Sequence, residues 1–453
     1  MSVSATSPLT GPKGGYFRGA AAAMRRDQLG FYEACAREHG DVVETRLGPY
    51  RVLLIYHPDA IEELLVGRNR DFIKSRGVRL LRPLLGNGLF LAEGDSWLRQ
   101  RRLLQPAFHR QRVAGYGDVM SAYATRHVSG WKDGAVVEIH AEMMALTQAI
   151  VGKTLFDADV SGDAHEVSQA ARVLAEDFGA RLRTLTLIPY WVPTPRNLRS
   201  RRAIRRLDTL VHRMIAQRRA VSEDRGDLLS MLLQAQDADD GSRMTARQVR
   251  DEAMTMFLAG HETTAVALSW TWYLLGRHPD ADARLADELS HVLGDRPPTV
   301  ADLPRLEYAS MVVTEAMRLY PPAYGLGRQA QRATEVAGLA IAAGDIVIAP
   351  TWVVHRDPRW FDEPAAFRPE RWAGDLAQRL PRFAYFPFGG GPRQCIGNVF
   401  AQMEATLILA AIAQRFRLSL VPGQRITPTP YITLRPEPGI RMSLARRRRE
   451  GPP

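Results

Sequence analysis

A glycine-rich turn near residue 390 brings a cysteine to the start of an apolar helical segment. The turn reads Phe388-Gly-Gly-Gly391-Pro-Arg393-Gln-Cys395-Ile-Gly397. Glycines let the backbone approach a flat group closely, and Arg393 can neutralise an anion beside it. Unpaired N–H groups at a helix start favour the thiolate over the thiol. The pattern indicates that Cys395 is a thiolate metal ligand, and a buried cysteine after an ordinary turn is the alternative.

The same ten residues resemble a known signature. The pattern F-x-x-G-x-R-x-C-x-G, matched completely between Phe388 and Gly397, is typical of the cytochrome P450 family of haem-thiolate monooxygenases. The resemblance implies that Cys395 is the axial ligand of a haem b iron, a ligation in which electron density from sulfur favours O–O cleavage. It also places Phe388 and Arg393 among the haem-binding residues.

A second motif interrupts the apolar face of a long helical segment, where residues 259–264 read AGHETT. Oxygen activation needs two protons, which an acid followed by an alcohol can relay through water. By resemblance, Ala259 and Gly260 line the oxygen-binding groove, and Glu262 and Thr263 are the candidate catalytic residues. A polar kink with a back-bonded threonine is the alternative. A zinc-protease motif fails because Ala265 occupies the position of the second histidine.

Two charged elements resemble the structural part of the family pattern. Glu315 and Arg318 lie three residues apart on one helix and can pair, although such a pair is more often on the surface. Residues 369–372 read PERW, with Trp372 where the family more often has phenylalanine. The resemblance implies a cluster of Glu315, Arg318 and Arg371 that stabilises the region beneath the haem. We expect Trp372 not to touch these charges.

Haem propionates need cations, and the resemblance supplies candidates for them. Trp97 and Arg101 match a W-x-x-x-R element, in which an indole N–H and a guanidinium one helical turn later meet a propionate. Core packing is the alternative for Trp97. Arg328 and Arg393 match two further propionate positions.

These motifs predict a monooxygenase that inserts one oxygen atom from O2 into a lipophilic substrate, as in terpenoid or fatty-acid hydroxylation. By resemblance, residues 76–92, 178–195, 257, 259, 323–326 and 431–433 line the substrate pocket; they are mainly apolar and aromatic. A peroxide-dependent peroxygenase and a non-catalytic haem-thiolate sensor or carrier are the alternatives. Both would leave the Glu262-Thr263 pair without a use.

Electrons are expected from separate proteins, because the motifs occupy the whole chain and no flavin or iron–sulfur signature is present. The resemblance implies a ferredoxin with its reductase. A small acidic iron–sulfur protein would dock where Cys395 approaches the surface, guided by Arg99, Arg102 and Arg110. Nucleic acid is not expected as a partner, since no zinc-finger spacing or aromatic RNA-binding consensus occurs.

The elements that must position these motifs are mainly helical. Thr245 and Gln248 form a capping box, and His278-Pro279 closes a helix of about thirty residues, roughly 45 Å long. A second helix is predicted from about Pro304 to Leu319, and a third after Gly397. Residues 42–55 alternate around a Gly-Pro turn and predict a hairpin. The predicted fold class is therefore mainly α with minor β, the cytochrome P450 fold.

Composition fits a globular protein, with 45% hydrophobic and 24% charged residues among 453. Residues 1–15 are predicted to be a flexible arm, 16–443 one haem-thiolate domain, and 444–453 a solvated basic tail. The longest uncharged apolar stretch is too short to cross a bilayer. Two cysteines cannot form a disulfide framework, and no export signal is visible, so a cytoplasmic location is expected.

Overall fold

The computed structural model describes residues 11–12, 19–184, 188–220, 227–234, 241 and 243–447. Helices dominate these ranges and the strands are short, so the predicted class, mainly α with minor β, is confirmed. Most of the predicted N-terminal arm lies outside the described residues. No helix within them is both long enough and apolar enough to cross a membrane.

The helices, in chain order, are α1 (Ala20–Arg26), α2 (Gln28–His39), α3 (Pro58–Glu62), α4 (Arg82–Leu85), α5 (Gly94–Leu104), α6 (Arg110–Ser129), α7 (Ile139–Phe156), α8 (Ala164–Thr184), α9 (Pro195–Ala220), α10 (Leu228–Gln234), α11 (Ala246–Arg277), α12 (Pro279–Leu293), α13 (Glu307–Leu319), α14 (Thr351–Val354), α15 (Leu376–Arg379) and α16 (Asn398–Ala413). The strands are β1 (Val42–Leu47), β2 (Tyr50–Ile55), β3 (Phe72–Lys74), β4 (Val136–Glu138), β5 (Leu326–Ala330), β6 (Thr334–Val336), β7 (Leu339–Ile341), β8 (Ile346–Ala349), β9 (Phe416–Leu420), β10 (Thr427–Pro430), β11 (Leu434–Glu437) and β12 (Arg441–Arg446).

Helix α11 crosses the whole molecule. The predicted capping box is present, because the Thr245 side chain accepts from the Gln248 N–H and the Gln248 side chain accepts from the Thr245 N–H. The helix has 32 residues, which corresponds to roughly 48 Å, and it ends at Arg277 before His278-Pro279, as predicted. Most of its side chains are buried, so its amide and hydroxyl groups face protein or cavity.

The largest sheet joins distant parts of the chain in the order β1-β2-β8-β5-β3. Strands β1 and β2 form the predicted hairpin, in which Leu47 pairs with Tyr50 across Gly48-Pro49. Strand β5, which the sequence analysis did not predict, pairs antiparallel with β3 and places Lys74 directly opposite Arg328. This register brings two cations to the same edge of the sheet.

Two large hydrophobic cores stabilise the fold, beside a small third cluster of Leu29, Tyr324, Trp352 and Leu434. The larger core is helical and includes residues of α6, α7, α11, α13 and α16. The smaller core lies under the five-stranded sheet and includes residues of β1, β2, α3 and the segment Phe383–Phe386. The chain passes from the smaller core to the larger one between Phe386 and Phe400, which is the segment that contains Cys395.

Helices α13 and α16 are present as predicted, and only the start of α13 differs from the prediction. Helix α13 begins at Glu307 and not near Pro304, because residues Val300–Arg305 form a 3-10 helix. Helix α16 follows Gly397 as predicted, and it buries Phe400 and Met403.

At the other end of the chain, β12 continues through Arg446, and the Arg447 side chain donates to Asp282 at 2.6 Å. The first residues assigned to the tail are thus held in the fold.

Candidate functional site

Residues from the middle of α11 and the start of α16 line a cavity of about 300 Å³. Nine of the ten residues predicted for the site line it. They are Cys395, Trp97, Arg101, Arg328, Arg393, Phe388, Ala259, Gly260 and Thr263. The sequence therefore predicted the members of one cavity from motifs nearly 300 residues apart. Glu262 is the exception.

The loop that carries Cys395 is held by a hydrogen bond within the turn and by close packing against the backbone of Leu65. The Cys395 N–H donates to the Phe388 carbonyl at 3.0 Å, which closes the turn. Gly391 has φ 66°, and a Cβ there would lie 2.1 Å from the Leu65 carbonyl oxygen. No other residue fits at this position without moving the backbone, because L side chains rarely adopt such a φ and the contact is too short.

The Cys395 thiol is exposed to the cavity but is surrounded by protein atoms. Burial raises its pKa, although the Gly397 N–H and the charges of Arg101 and Lys74 act in the opposite direction. The Gly397 N–H at the helix start favours the thiolate, as expected, but desolvation is the larger influence on this pKa. A metal ion at this position would deprotonate the thiol itself.

Four cations converge on the cavity with one carboxylate among them. Lys74, Arg101, Arg328 and Arg393 line it, and Glu93 contacts Arg393 and accepts from the Lys74 N–H at 2.7 Å. Burial and the neighbouring cations lower the pKa of Lys74 well below its usual range and that of Arg328 to about 10. The cluster therefore has an excess of buried positive charge, which a group with two carboxylates would neutralise. Haem propionates fit this set.

Lys74 was missed by the sequence analysis. Its Nζ lies 4.5 Å from the centre of the Phe90 ring, at the rim of the cavity. The only feature of the sequence that could have indicated Lys74 is its residue type, because lysine is rare here: the chain has four lysines among 60 basic residues. Its position depends on the β3–β5 register, which the local sequence does not specify.

Helix α11 contributes Ala259, Gly260 and Thr263 to the lining of the cavity that contains Cys395. The helix is continuous through residues 259–264, and the Thr263 hydroxyl donates to the Ala259 carbonyl at 2.8 Å. This bond leaves the Thr263 oxygen free to accept from the cavity side. A Cβ at Gly260 would lie 3.1 Å from Val151 Cγ2, so the glycine allows α7 to pack closely against α11.

Glu262 faces away from the cavity. Its Oε1 accepts from the Thr433 hydroxyl at 2.8 Å and from Arg435 Nε at 3.1 Å, and Arg435 Nη2 lies 2.8 Å away. Burial alone would raise the pKa of Glu262, but the Arg435 charge and these hydrogen bonds outweigh burial and lower it. The carboxylate is thus ionised and held in a buried ion pair with Arg435. The role of Glu262 in proton delivery stays a prediction.

The predicted cluster of Glu315, Arg318 and Arg371 is formed, and Glu315 and Arg318 are fully buried. Glu315 and Arg318 make a two-pronged pair with both contacts at 2.8 Å, and Arg371 Nε donates to Glu315 at 2.9 Å. The Trp372 indole N–H also donates to Glu315, at 2.9 Å. The expectation that Trp372 does not touch the charges is therefore wrong, because indole offers a donor that phenylalanine lacks.

A second cavity of about 270 Å³ adjoins the first and shares Lys74, Phe90, Ala323, Leu326 and Arg328 with it. Segments predicted to line the substrate pocket divide between the two cavities. Phe90, Ala323 and Leu326 contribute to both cavities and Leu89 to the first. The second is lined in addition by Tyr324, Gly325, Phe178, Leu182 and Ile432. Phe257 lines neither cavity and packs against Phe156, with ring centres 6.1 Å apart.

Comparison with known proteins agrees with this geometry. A family model described as Cytochrome P450 matches residues 9–444. A crystal structure of the cytochrome P450DA haem domain superimposes with a TM-score of 0.87 at 27% identity, covering 98% of each chain.

Similar sequences with curated names include two bacterial enzymes. Cyclooctatin synthase of Streptomyces melanosporofaciens is 41% identical over 93% of this chain and 92% of the relative. Pentalenene oxygenase of Streptomyces avermitilis is 33% identical over 98% of each. A third relative, cyclooctat-9-en-7-ol 5-monooxygenase of Streptomyces melanosporofaciens, is 38% identical over 85% of this chain and 84% of the relative.

Proposed function

We propose that this chain, which belongs to the cytochrome P450 family, hydroxylates a terpenoid. It is a haem monooxygenase that acts on a lipophilic substrate with O2 and redox partners. The relatives named for cyclooctat-9-en-7-ol and pentalenene support this class of substrate. The apolar side chains around the two cavities, such as Phe90, Leu89 and Leu326, also support it.

One observation supports the site most directly: Cys395 and Thr263 line the same cavity. The overall reaction combines substrate, O2, two electrons and two protons to give the hydroxylated product and water. When bound through a thiolate, haem supplies the oxygen activation. We propose haem b, held by Cys395, with Trp97, Arg101, Arg328 and Arg393 at its propionates and Lys74 as an additional cation.

The residues of this chain then have three tasks. Phe388, Ala259 and Gly260 shape the faces of the cavity, and the apolar lining orients the substrate and excludes water. Thr263 Oγ1 holds a water molecule and passes protons into the cavity. Glu262 is a proton relay in this proposal: its carboxylate, ionised beside Arg435, must leave Arg435, take up a proton from solvent water and pass that proton to the cavity.

Replacing Thr263 with alanine is expected to uncouple electron transfer from hydroxylation. Substrate binding and reduction should stay close to wild type, while the product formed per electron falls roughly tenfold or more and hydrogen peroxide accumulates, because the proton carrier is lost.

Glu262→Gln keeps the shape of the side chain but removes the acid, and turnover should fall on the order of 10²-fold. Oxygen uptake, peroxide and product are quantified together, with substrates chosen by a haem spin-state screen.

The matched control is Thr271→Ala, since Thr271 makes the same back-bond on α11, to Ala267 at 2.8 Å, and does not line either cavity. Wild-type product per electron in the Thr263 and Glu262 variants would contradict the proton role. Product formed only with added hydrogen peroxide would instead indicate a peroxygenase. A spin-state response with no substrate-dependent oxygen uptake would indicate a sensor or carrier.

We also propose a small acidic ferredoxin as the electron donor, docked over α5 and the start of α6. Arg102 and Arg110 are exposed there, and α5 carries Arg101 and Trp97 on its cavity side. Reduction is expected to slow by about tenfold between low and physiological ionic strength, because salt screens attraction between exposed charges.

Stopped-flow reduction with a bacterial ferredoxin measures this dependence, and Arg102→Gln/Arg110→Gln should flatten it. Arg425→Gln/Arg441→Gln is the control, since both side chains are exposed on other elements. A rate that does not change with salt would exclude electrostatic docking. A cytoplasmic location stays a prediction.

A further inference from the structure

One carboxylate lies within the group of cations that surrounds the cavity of Cys395. Glu93 contacts the Arg393 guanidinium, and its Oε1 accepts from the Lys74 N–H at 2.7 Å. Lys74 and Arg393 line the cavity, whereas Glu93 does not. Any influence of Glu93 on the cavity thus passes through these two neighbours and through its charge.

The place of Glu93 in its own helix makes these contacts unusual. Glu93 is the N-cap residue of α5, but its side chain accepts no hydrogen bond from that helix. Glu138 has the same place before α7, and its carboxylate accepts from the N–H groups of His140 and Ala141, at 3.0 and 2.8 Å. An N-cap carboxylate stabilises its helix in this way. Glu93 makes no such bond and instead joins β3 to the loop that carries Cys395.

The Arg393 guanidinium is held by three neighbours. Its Nη1 donates to the Ala92 carbonyl at 2.7 Å, its Nη2 contacts Glu93, and its central carbon lies 4.3 Å from the centre of the Trp97 ring. Among these neighbours only Glu93 carries a charge. A carboxylate at the start of α5 therefore fixes the orientation of an arginine that lies two residues before Cys395.

The charge of Glu93 also reaches the other cations of the cavity. Burial lowers the pKa of Lys74 and of Arg328, and in both cases the charge of Glu93 acts in the opposite direction. Lys74, Arg101, Arg328 and Arg393 line the cavity. Two bound propionates would balance two of these four cations, and Glu93 balances a third. Without Glu93, twice as much positive charge would stay uncompensated beside the haem.

We propose that Glu93 is a positioning residue that orients Arg393 and lowers the reduction potential of the bound haem. Reduction adds one electron to the haem, and a fixed negative charge nearby opposes this addition. A lower potential favours the ferric state and so limits the uptake of electrons from the donor. The inference rests on the proposed binding of haem at this cavity.

Spectroelectrochemical titration of the full-length haem-loaded protein tests the effect on the potential. At the midpoint potential of the wild type, Glu93→Gln should raise the ratio of ferrous to ferric haem roughly three- to tenfold, because it removes one negative charge and keeps the shape of the side chain. A tenfold change corresponds to about 59 mV for a one-electron couple. Glu93→Ala removes the same charge and should shift the ratio in the same direction, which keeps the test open if Glu93→Gln does not load haem.

Glu93→Asp separates the charge from the contacts. It keeps the carboxylate but shortens the side chain by one methylene, so the ratio of ferrous to ferric haem should stay within about twofold of the wild type. Haem transfer to apomyoglobin should become roughly tenfold faster, because Arg393 loses a charge-assisted hydrogen bond that holds it in place. Transfer at the wild-type rate would contradict the orienting role.

The matched control is Asp95→Asn, which removes the same charge two residues further along the chain, where Asp95 is exposed. Its potential should stay close to that of the wild type, because water and salt screen an exposed charge. A wild-type potential in Glu93→Gln, or equal shifts in Glu93→Gln and Asp95→Asn, would overturn the proposal.

The titration needs neither substrate nor turnover, so its outcome is independent of the oxygen-uptake test. An unchanged potential in a protein that shows the red-shifted carbon monoxide band would contradict the role of Glu93 alone. Absence of that band in the wild type would instead contradict the proposed haem site.

Discussion

Replacing Cys395 with serine is expected to reduce monooxygenase turnover to background and to abolish the red-shifted Soret band of the reduced carbon monoxide complex. Serine keeps the size of the side chain, but its hydroxyl does not ionise as a thiol does and lacks the polarisable sulfur that favours O–O cleavage. The absorption spectrum of the reduced, carbon monoxide-treated variant and its product formation measure the two effects.

The other cysteine provides the control for this prediction. Cys35 is buried in the smaller core and does not line either cavity, so Cys35→Ala should keep both the band and the turnover. A Cys395→Ser variant with the wild-type spectrum would rule out Cys395 as the iron ligand.

Replacing Glu315 with glutamine is expected to lower the stability of the fold, which is the second large effect. Glu315 accepts five hydrogen bonds, from Arg318 (two), Arg371, Trp372 and the Arg368 N–H. Its neutral amide would leave the fully buried Arg318 without a counter-charge, at a cost of about 3–5 kcal/mol in the free energy of unfolding. Urea unfolding followed by circular dichroism and by haem absorbance measures the loss.

Two further variants keep this prediction testable if Glu315→Gln fails to fold. Trp372→Phe removes only the indole donor and should cost about 1.5–3 kcal/mol, the range for a hydrogen bond to a charged group. Glu370→Gln is the matched control, because Glu370 is partly exposed and pairs with Arg284, so it should cost at most about 1 kcal/mol. Equal effects of Trp372→Phe and Glu370→Gln would contradict the importance of the cluster.

The same cluster predicts a pH dependence. Burial alone would raise the pKa of Glu315, but Arg318 and Arg371 outweigh burial and lower it below its unfolded value. A carboxylate whose folded pKa is lowered contributes stability above its unfolded pKa, about 4.3, and loses that contribution as pH falls through the folded pKa. The stability difference between wild type and Glu315→Gln should therefore shrink below about pH 4.

The sequence predicted those features whose determinants lie within one segment. The capping box at Thr245 and the closure at His278-Pro279 define α11 because each acts over three or four residues. The ten-residue turn around Cys395 likewise contains its own glycines and hydrogen-bond partners.

Features that depend on distant contacts could not be predicted. Lys74 faces Arg328 only through strand register across 254 positions, and Glu262 meets Arg435 from a strand 173 residues away. Trp372 was misjudged for the same reason, since its donor matters only once α13 brings Glu315 to it. Local motifs thus identified which residues enter the cavity, but not how the surrounding charges are balanced.

The crossing of the chain between the two cores has a consequence for refolding. Gly391 contacts the Leu65 carbonyl of the smaller core, whereas Phe400 and the rest of α16 belong to the larger one, and Cys395 lies between them. Folding units that form separately must dock before such a segment takes its final path. If the two cores form separately during folding, the Cys395 turn is completed only when they have docked. The time course of haem capture would therefore follow their docking and not the formation of either unit alone.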